Sequence, residues 1–291
     1  MRTFFQFSLN GLGVGSIYAL MSLSIVLIYK STKVFNFATG QMMMIGAFIC
    51  WSLIEWNVPI WFTLPIVLGA SYLLGLVVER LVMRPLIGQP LIGAMLATLV
   101  LGELLHGLGM LSWGGWQRKY ATPIFPLVKL EIGGTYLSGA FIGALIVSVI
   151  IFIVAAFLYQ RTHIGLSMRA TAESHMLAQS KGIKVHSIFA LTWAVSAIAC
   201  SLAGIILSDV LALGITESAG VVYKAFPAIL LGGLESILGA LLGGLVIGLA
   251  ENIAGGYISP LFAQIVPYII LLIILVIRPE GIWGLKRIER I

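Results

Sequence analysis

The sequence predicts an all-α, polytopic integral membrane protein with about eight transmembrane segments, and composition is the first reason. Hydrophobic residues make up 60% of the 291 residues and charged residues only 10%, whereas a soluble domain carries about 25% charged residues. The mean hydropathy is +1.08. Long intervals without Asp, Glu, Lys or Arg recur along the chain. These observations argue against a soluble enzyme or a nucleic-acid-binding protein, and they predict one transmembrane domain over residues 1–291.

Each predicted span comes from a charge-poor run, because a membrane helix needs about 20 mostly apolar residues. The runs predict helices at 8–29, 36–54, 60–79, 91–112, 138–159, 188–208 and 260–277. The first run follows Met1 and Arg2 as a signal peptide would, but it extends to Ile28. That length exceeds the hydrophobic region of a signal peptide, so the run is interpreted as the first span.

The basic residues predict the orientation, because cytoplasmic loops are enriched in Lys and Arg. With the N-terminus outside, 12 of the 17 basic residues share one face: Lys30, Lys33, Arg80, Arg84, Arg161, Arg169, Lys181, Lys184, Arg278, Lys286, Arg287 and Arg290. The other face holds Arg2, Arg118, Lys119, Lys129 and Lys224, diluted by Glu55, Glu131, Asp209 and Glu217. We therefore expect the N-terminus outside and the C-terminus in the cytoplasm.

The stretch 225–253 is predicted to be a broken or re-entrant helix pair. An even number of crossings must separate Lys184 from Arg278 if both lie on the same face. Gly232, Gly233 and Glu235 interrupt the stretch and leave charge-free halves of 10 and 15 residues. These halves are about 15 and 22 Å long, short of a full hydrocarbon core. Transporters often build their pathways from such interrupted segments; a kinked single helix is the alternative.

The polar loop 160–187 is the most informative segment outside the membrane. Ser167 is a candidate N-cap for a helix over 168–180, and Gly182 a candidate terminator. The predicted helix is amphipathic, so it suits either a solvated connector or a docking element for a partner or for lipid.

Few residues suggest chemistry. Glu103 and His106 are three apart within a predicted span, which suits a proton relay only weakly. Glu251 lies near a predicted helix end, where snorkelling or capping is expected. Cys50 and Cys200 fall in apolar runs and are expected to be buried. No catalytic set, metal-ligand spacing or cofactor motif is evident, and no Gly precedes a Lys, so a Walker A loop is absent.

An ordered series of short motifs resembles the permease subunits of branched-chain amino acid ABC importers, the LivH type. The matching segments are 10–20, 36–41, 79–86, 161–165, 169–173, 182–183, 225–226, 231–233, 236–240 and 278–281. No single motif is specific, but their order covers nearly the whole chain.

The resemblance implies a permease subunit of the bacterial inner membrane that is not itself an enzyme. Its implied partners are a second related permease, two cytosolic ATPases that hydrolyse ATP, and an extracytoplasmic binding protein. It also implies that the segment 168–183 couples to an ATPase, through Arg169, Ala172, Glu173, Gly182 and Ile183. For the translocation pathway the candidates are Asn36, Phe37, Gly40, Gly232 and Gly233, although close helix packing explains the glycines equally well.

Some positions depart from the family pattern, namely Thr39, Gln41, Glu103, His106 and Glu235. They leave the substrate open between branched-chain amino acids, other amino acids, and urea or short-chain amides. An ion-coupled secondary transporter acting through Glu103, His106 and Glu251 is the alternative from a different class.

Overall fold

Long apolar helices form the body of this computed structural model, which describes residues 2–120, 123–125, 129–132, 135–211, 214–215 and 217–284. The α-helices of the described residues are α1 (Arg2–Thr32), α2 (Thr39–Glu55), α3 (Ile60–Val78), α4 (Leu91–Trp113), α5 (Gly139–Arg161), α6 (His163–Glu173), α7 (His175–Ser180), α8 (Val185–Val210), α9 (Glu217–Gly232), α10 (Ile237–Tyr257) and α11 (Pro260–Ile277). A π-helical turn at Glu79–Met83 and a 3₁₀ turn at Arg84–Leu86 follow α3. An antiparallel hairpin of β1 (Lys129–Ile132) and β2 (Thr135–Ser138) precedes α5.

The membrane helices confirm the predicted polytopic fold. Seven helices in the described part of the chain are long and apolar enough to cross a membrane: α1, α3 with its turns, α4, α5, α8, α10 and α11. The predicted span 36–54 corresponds to α2, which has 17 residues. At 1.5 Å per residue α2 is about 25 Å long. It is therefore shorter than a full hydrocarbon core, and the chain before it must enter the membrane layer.

The core is built around α1, which packs against α5, α8, α9 and α10. Small residues allow the closest of these approaches, between α1 and α10. A Cβ at Gly15 would lie 2.8 Å from the carbonyl oxygen of Gly244, and one at Gly11 would lie 2.8 Å from the Cα of Leu249. Real Cβ atoms do not approach so closely, so α1 and α10 are in backbone contact.

The predicted break in 225–253 is confirmed, but the lengths of its halves were wrong. The chain leaves the helical conformation between Gly232 and Ile237, where Gly233 has φ +96° and the Ser236 hydroxyl caps α10 by accepting from the Gly239 amide. The preceding helix, α9, has 16 residues, whereas α10 has 21 and is long enough to cross. Both helices extend beyond the charge-free runs because Lys224 and Glu251 lie inside them.

The two ends of the bundle differ in charge, as the alternation of loops predicted. One end, here called the basic end, holds Lys33, Arg84, Arg161, Lys184 and Arg278. An ion pair there joins Lys33, after α1, to Glu235, in the α9–α10 turn. A second ion pair, between the buried Glu79 and the partly exposed Arg84, fixes the turn after α3. Three further predicted members, Lys286, Arg287 and Arg290, lie outside the described residues.

The opposite end is held together by the loops that follow α4 and α8. The Asp209 carboxylate accepts hydrogen bonds from the amides of Ile124 and Phe125, at 2.7 and 3.2 Å. The Trp113 indole donates to the Ser52 hydroxyl at 2.8 Å. Burial raises the pKa of Tyr120 well above its ordinary value, and its hydroxyl donates to the carbonyl of Ala47.

Candidate functional site

The chain unwinds between α1 and α2, and this unwound segment (residues 33–38) lies within the membrane layer. Its depth follows from α4, because the Thr98 hydroxyl lies 3.2 Å from both the Phe35 carbonyl and the Phe37 amide. Thr98 comes seven residues after Leu91, the first residue of α4, which is about 10 Å along the helix. Irregular backbone at such depth is tolerated only inside protein or beside water. The segment is therefore a candidate part of a transport pathway.

Asn36 shapes the unwound segment from within. It is fully buried, its side-chain oxygen accepts from the Ala38 amide at 3.0 Å, and its carbonyl accepts from the Thr39 hydroxyl at 2.8 Å. Gly40 is also buried, in the first turn of α2. Of the predicted pathway residues on this segment, only Phe37 is half-buried and open to the surroundings.

Three aromatic rings, here called the Phe cluster, meet at this depth: Phe35, Phe37 and Phe226. The ring centroids are 5.2 Å apart for Phe35 and Phe37, 4.9 Å for Phe35 and Phe226, and 5.7 Å for Phe37 and Phe226. All three are half-buried. Phe226 lies six residues before the end of α9, which is about 9 Å from the basic end. Sequence reasoning missed Phe35 and Phe226 as site residues, although Phe226 belongs to one of the quoted motifs.

The interrupted region predicted from the sequence lies at the basic end, where Gly232 and Gly233 contact α10 and the C-terminal tail. Gly232 packs so tightly that a Cβ would overlap the carbonyl oxygen of Gly239, and one at Gly233 would lie 2.6 Å from the Gly284 amide nitrogen. The tail therefore packs on the α9–α10 turn, and the amide of Ile282 donates to the carbonyl of Leu231. These contacts give Gly232 and Gly233 a packing role.

The predicted helix over 168–180 was wrong in extent. The structure has two helices, α6 and α7, separated at Ser174. Thr162 caps α6 by accepting from the Gly165 amide, and Ser174 caps α7 by accepting from the Leu177 amide. Ser167 is not the N-cap, because its hydroxyl donates back to the His163 carbonyl inside α6. Gly182 ends the segment as predicted, in the left-handed conformation at φ +81°.

The predicted coupling residues divide between the surface and the interior of this segment. Glu173 and Gly182 are exposed, while Ala172 and Ile183 are half-buried. Arg169 turns inward: its guanidinium donates to the Tyr159 carbonyl and lies 5.5 Å from the centre of the Tyr159 ring.

Arg169 shares the Tyr159 ring with a second cation, the Lys30 ammonium of α1, which lies 4.2 Å from the ring centre. Tyr159 therefore connects α6 to the last turn of α1. On the outer side of α7, Met176 and Leu177 are 76% and 68% exposed. These two apolar side chains were not predicted as coupling residues.

An ion pair inside the membrane body connects α9 to α10. The Lys224 ammonium contacts one carboxylate oxygen of Glu251, and the Tyr18 hydroxyl of α1 donates to the other at 2.8 Å. Both charged side chains are largely buried. The expectation that Glu251 snorkels or caps is therefore corrected, and so is the placement of Lys224 in an outer loop.

The suggested proton relay of Glu103 and His106 is not extended by further hydrogen-bonded groups among the described residues. Glu103 is exposed and His106 half-buried on α4. Neither forms a hydrogen bond or ion pair with any other residue that the structure describes. Cys50 and Cys200 are buried free thiols, as predicted. Among the described residues there is no cluster of three metal-ligating side chains.

Known proteins match this chain over nearly its whole length. Residues 7–275 match the family model described as branched-chain amino acid transport system / permease component. The chain is 28% identical to the high-affinity branched-chain amino acid transport system permease protein BraD of Pseudomonas aeruginosa, over 99% of this chain and 98% of the relative. It is equally similar, at 28% over 99% and 98%, to the corresponding permease protein LivH of Escherichia coli K12.

A solved structure shares the fold at much lower identity. It is a chain of PsaBC from Streptococcus pneumoniae in complex with Fab, with a TM-score of 0.51 and 11% identity. The likeness covers 96% of this chain and 93% of that chain.

Proposed function

Because the chain belongs to the family of permease components of branched-chain amino acid transport systems, we propose that it is the membrane-spanning permease subunit of an ABC importer for branched-chain amino acids. The observation that carries this function is the match over residues 7–275, which includes every membrane helix except the first five residues of α1 and the last two of α11. The inner membrane of a bacterium is its proposed location.

The proposed assembly contains this chain, a second related permease, two cytosolic ATPases and an extracytoplasmic binding protein. The basic end faces the cytoplasm in this proposal, because Lys and Arg are enriched in cytoplasmic loops. That orientation places the N-terminus outside, the C-terminus inside, and α6 and α7 on the side of the ATPases. ATP hydrolysis belongs to the ATPase chains.

Coupling is proposed to pass through α6 and α7. Met176 and Leu177 supply an exposed apolar contact on α7, with Glu173 and Gly182 at its two ends. Arg169 lies beneath that surface. It donates to the Tyr159 carbonyl, and the Lys30 ammonium contacts the ring of the same tyrosine. A displacement of α6 is thereby transmitted to α1 and α5, while Ala172 and Ile183 pack the segment against the bundle.

The pathway is proposed to run along the Phe cluster, where the unwound segment 33–38 faces α9. Its surface is apolar, which suits an aliphatic side chain and allows weak, transient binding. Asn36 and Gly40 hold the unwound segment in shape, and Gly232 with Gly233 form the turn that Glu235 fastens to Lys33. ATP shifts this pathway between states only through contacts that differ between them.

The substrate class is tested by uptake into vesicles containing the complete assembly. We expect ATP-dependent accumulation of labelled leucine that unlabelled isoleucine and valine inhibit. Urea and acetamide are expected not to compete. Inhibition by urea or acetamide, with no effect of isoleucine or valine, would contradict the assignment of the substrate while leaving the ABC importer class intact.

A further inference from the structure

One face of α4 carries a carboxylate in the middle of the membrane. The face consists of Leu96, Leu99, Val100, Glu103, Gly107 and Met110, and is here called the Glu103 face. Its members recur at three- and four-residue intervals, so they lie on one side of the helix. All six are exposed on the surface of this chain.

Glu103 lies near the centre of the hydrocarbon layer. It follows Leu91 by 12 residues and precedes Trp113 by 10 in the 23-residue helix α4, which places it about 18 and 15 Å from the two ends. Charged side chains at this depth are costly, and they almost always face protein or a water-filled cavity. Glu103 has no partner among the described residues of its own chain.

This chain covers only the other side of α4. There, Thr98 contacts Phe35 and Phe37, a Cβ at Gly102 would lie 3.6 Å from the Cα of Ala38, and Gly109 approaches Met44. On the Glu103 face, by contrast, a Cβ at Gly107 would meet no atom within 4 Å. Gly107 lies one turn beyond Glu103, so a second helix has room to approach its carboxylate closely.

The outer side of α5 is apolar and can be compared with the Glu103 face of α4. On α5, the exposed residues within the span include Ile146, Ile150, Ile153, Val154 and Phe157, none of them polar. That surface is typical of contact with lipid. The Glu103 face differs from it by a carboxylate, with the half-buried His106 at its edge.

We propose that the Glu103 face is the contact surface for the second permease subunit, which places a cationic or amide side chain at the depth of Glu103. The inference rests on the proposed function, because it requires a paired permease. The carboxylate selects a partner with a hydrogen-bond donor, and Gly107 allows the partner helix to approach. Lipid acyl chains offer no such donor.

Photo-crosslinking in the intact importer tests this surface. Benzoylphenylalanine replaces Val100 on the Glu103 face or, as the matched control, Ile150 on α5; the side chains are 69% and 54% exposed. The complex is purified through an affinity tag on an ATPase subunit. We expect an adduct between this chain and the second permease from position 100 and none from position 150.

Three results would overturn the inference: no protein adduct from position 100, equal adducts from both positions, or adducts only between two copies of this chain. The first would mean that lipid covers the face, and the last that a second copy does. Each is compatible with ATP-dependent leucine uptake by the same complex. Absence of that uptake in the unmodified assembly would instead contradict the proposed function.

Charge substitution provides a second, independent readout. Glu103→Lys is expected to lower the amount of second permease that co-purifies by about tenfold, because a cation then meets the partner's donor. Glu103→Gln keeps an acceptor and is expected to lower it by no more than about threefold. Amounts are measured relative to this chain in the membrane fraction. Unchanged co-purification with Glu103→Lys would contradict the proposal.

Discussion

Among single residues, Glu251 has a role that depends entirely on its partners. It is one of the few acidic side chains inside the membrane body, and it accepts from both Lys224 and Tyr18. The three residues belong to α10, α9 and α1, so these contacts link the two helices on either side of the break to each other and to the central helix. Its role is structural in this account, because both of its carboxylate oxygens are bound by partners within the bundle.

Glu251→Gln removes one charge of this pair and leaves the Lys224 ammonium unpaired. We expect a loss of about 2 kcal/mol in the free energy of unfolding, since breaking a largely buried pair costs more than the pair contributes. Thermal unfolding in lipid nanodiscs measures it. The double variant Lys224→Met with Glu251→Met is expected to recover most of the loss. A double variant as unstable as the single one would show that the charge itself is not the cause.

Phe37 provides a test of the pathway at the residue scale. Phe37→Ala removes a ring from the Phe cluster, and we expect the rate of ATP-driven leucine uptake to change by about threefold or more. Assembly of the complex and leucine binding to the isolated binding protein are expected to stay the same. Phe157→Ala is the matched control, because Phe157 is exposed on α5 away from the cluster. Equal uptake by the two variants would contradict the pathway assignment.

At the scale of elements, the segment formed by α6 and α7 has distinct inner and outer surfaces. Met168 and Ala178 pack inward, whereas Met176 and Leu177 face outward from α7. The helix stop at Ser174 produces this arrangement, because it starts a new helix whose exposed side differs from that of α6. An apolar pair exposed at the basic end suits a groove on another protein better than it suits water.

Replacing Met176 and Leu177 together by Ser is expected to lower leucine-stimulated ATP hydrolysis and uptake by about tenfold. The reason is that the apolar contact with the ATPase is lost while the fold of the chain is kept. Gln179→Ser is the control, since Gln179 is an exposed polar residue of the same helix. Thermal unfolding of the permease pair is expected to be the same for all three proteins. Full coupling in the double variant would remove α7 from the proposed ATPase contact.

At the scale of the whole molecule, the sequence was sufficient for the membrane spans but not for every helix boundary or for the contacts between helices. Charge-free runs predicted the spans because lipid imposes a strong and local requirement on every membrane helix. The break after Gly232 was also predictable, because two glycines and a glutamate interrupt an apolar run. The break at Ser174 was not, since Ser167 and Ser174 are both acceptable caps by local rules.

The tertiary contacts of the site could not be predicted because they join distant parts of the chain. Glu251 is 27 residues from Lys224 and 233 from Tyr18, and no periodicity marks such partners. Similarly, the inward turn of Arg169 depends on Tyr159, at the end of a different helix. Asn36 was predicted to line the pathway, and that role stays a prediction; its burial gives it a shaping role within the unwound segment.

The driving force for transport tests the central claim most directly. Leucine uptake is measured in vesicles containing the complete assembly under two conditions. In the first, ATP is supplied on the side of the membrane that the basic end faces. In the second, a proton or sodium gradient is imposed and ATP is left out. This account predicts accumulation with ATP alone, and none with either gradient. Gradient-driven uptake without ATP would contradict the account and would make Glu103 and Glu251 candidates for ion binding.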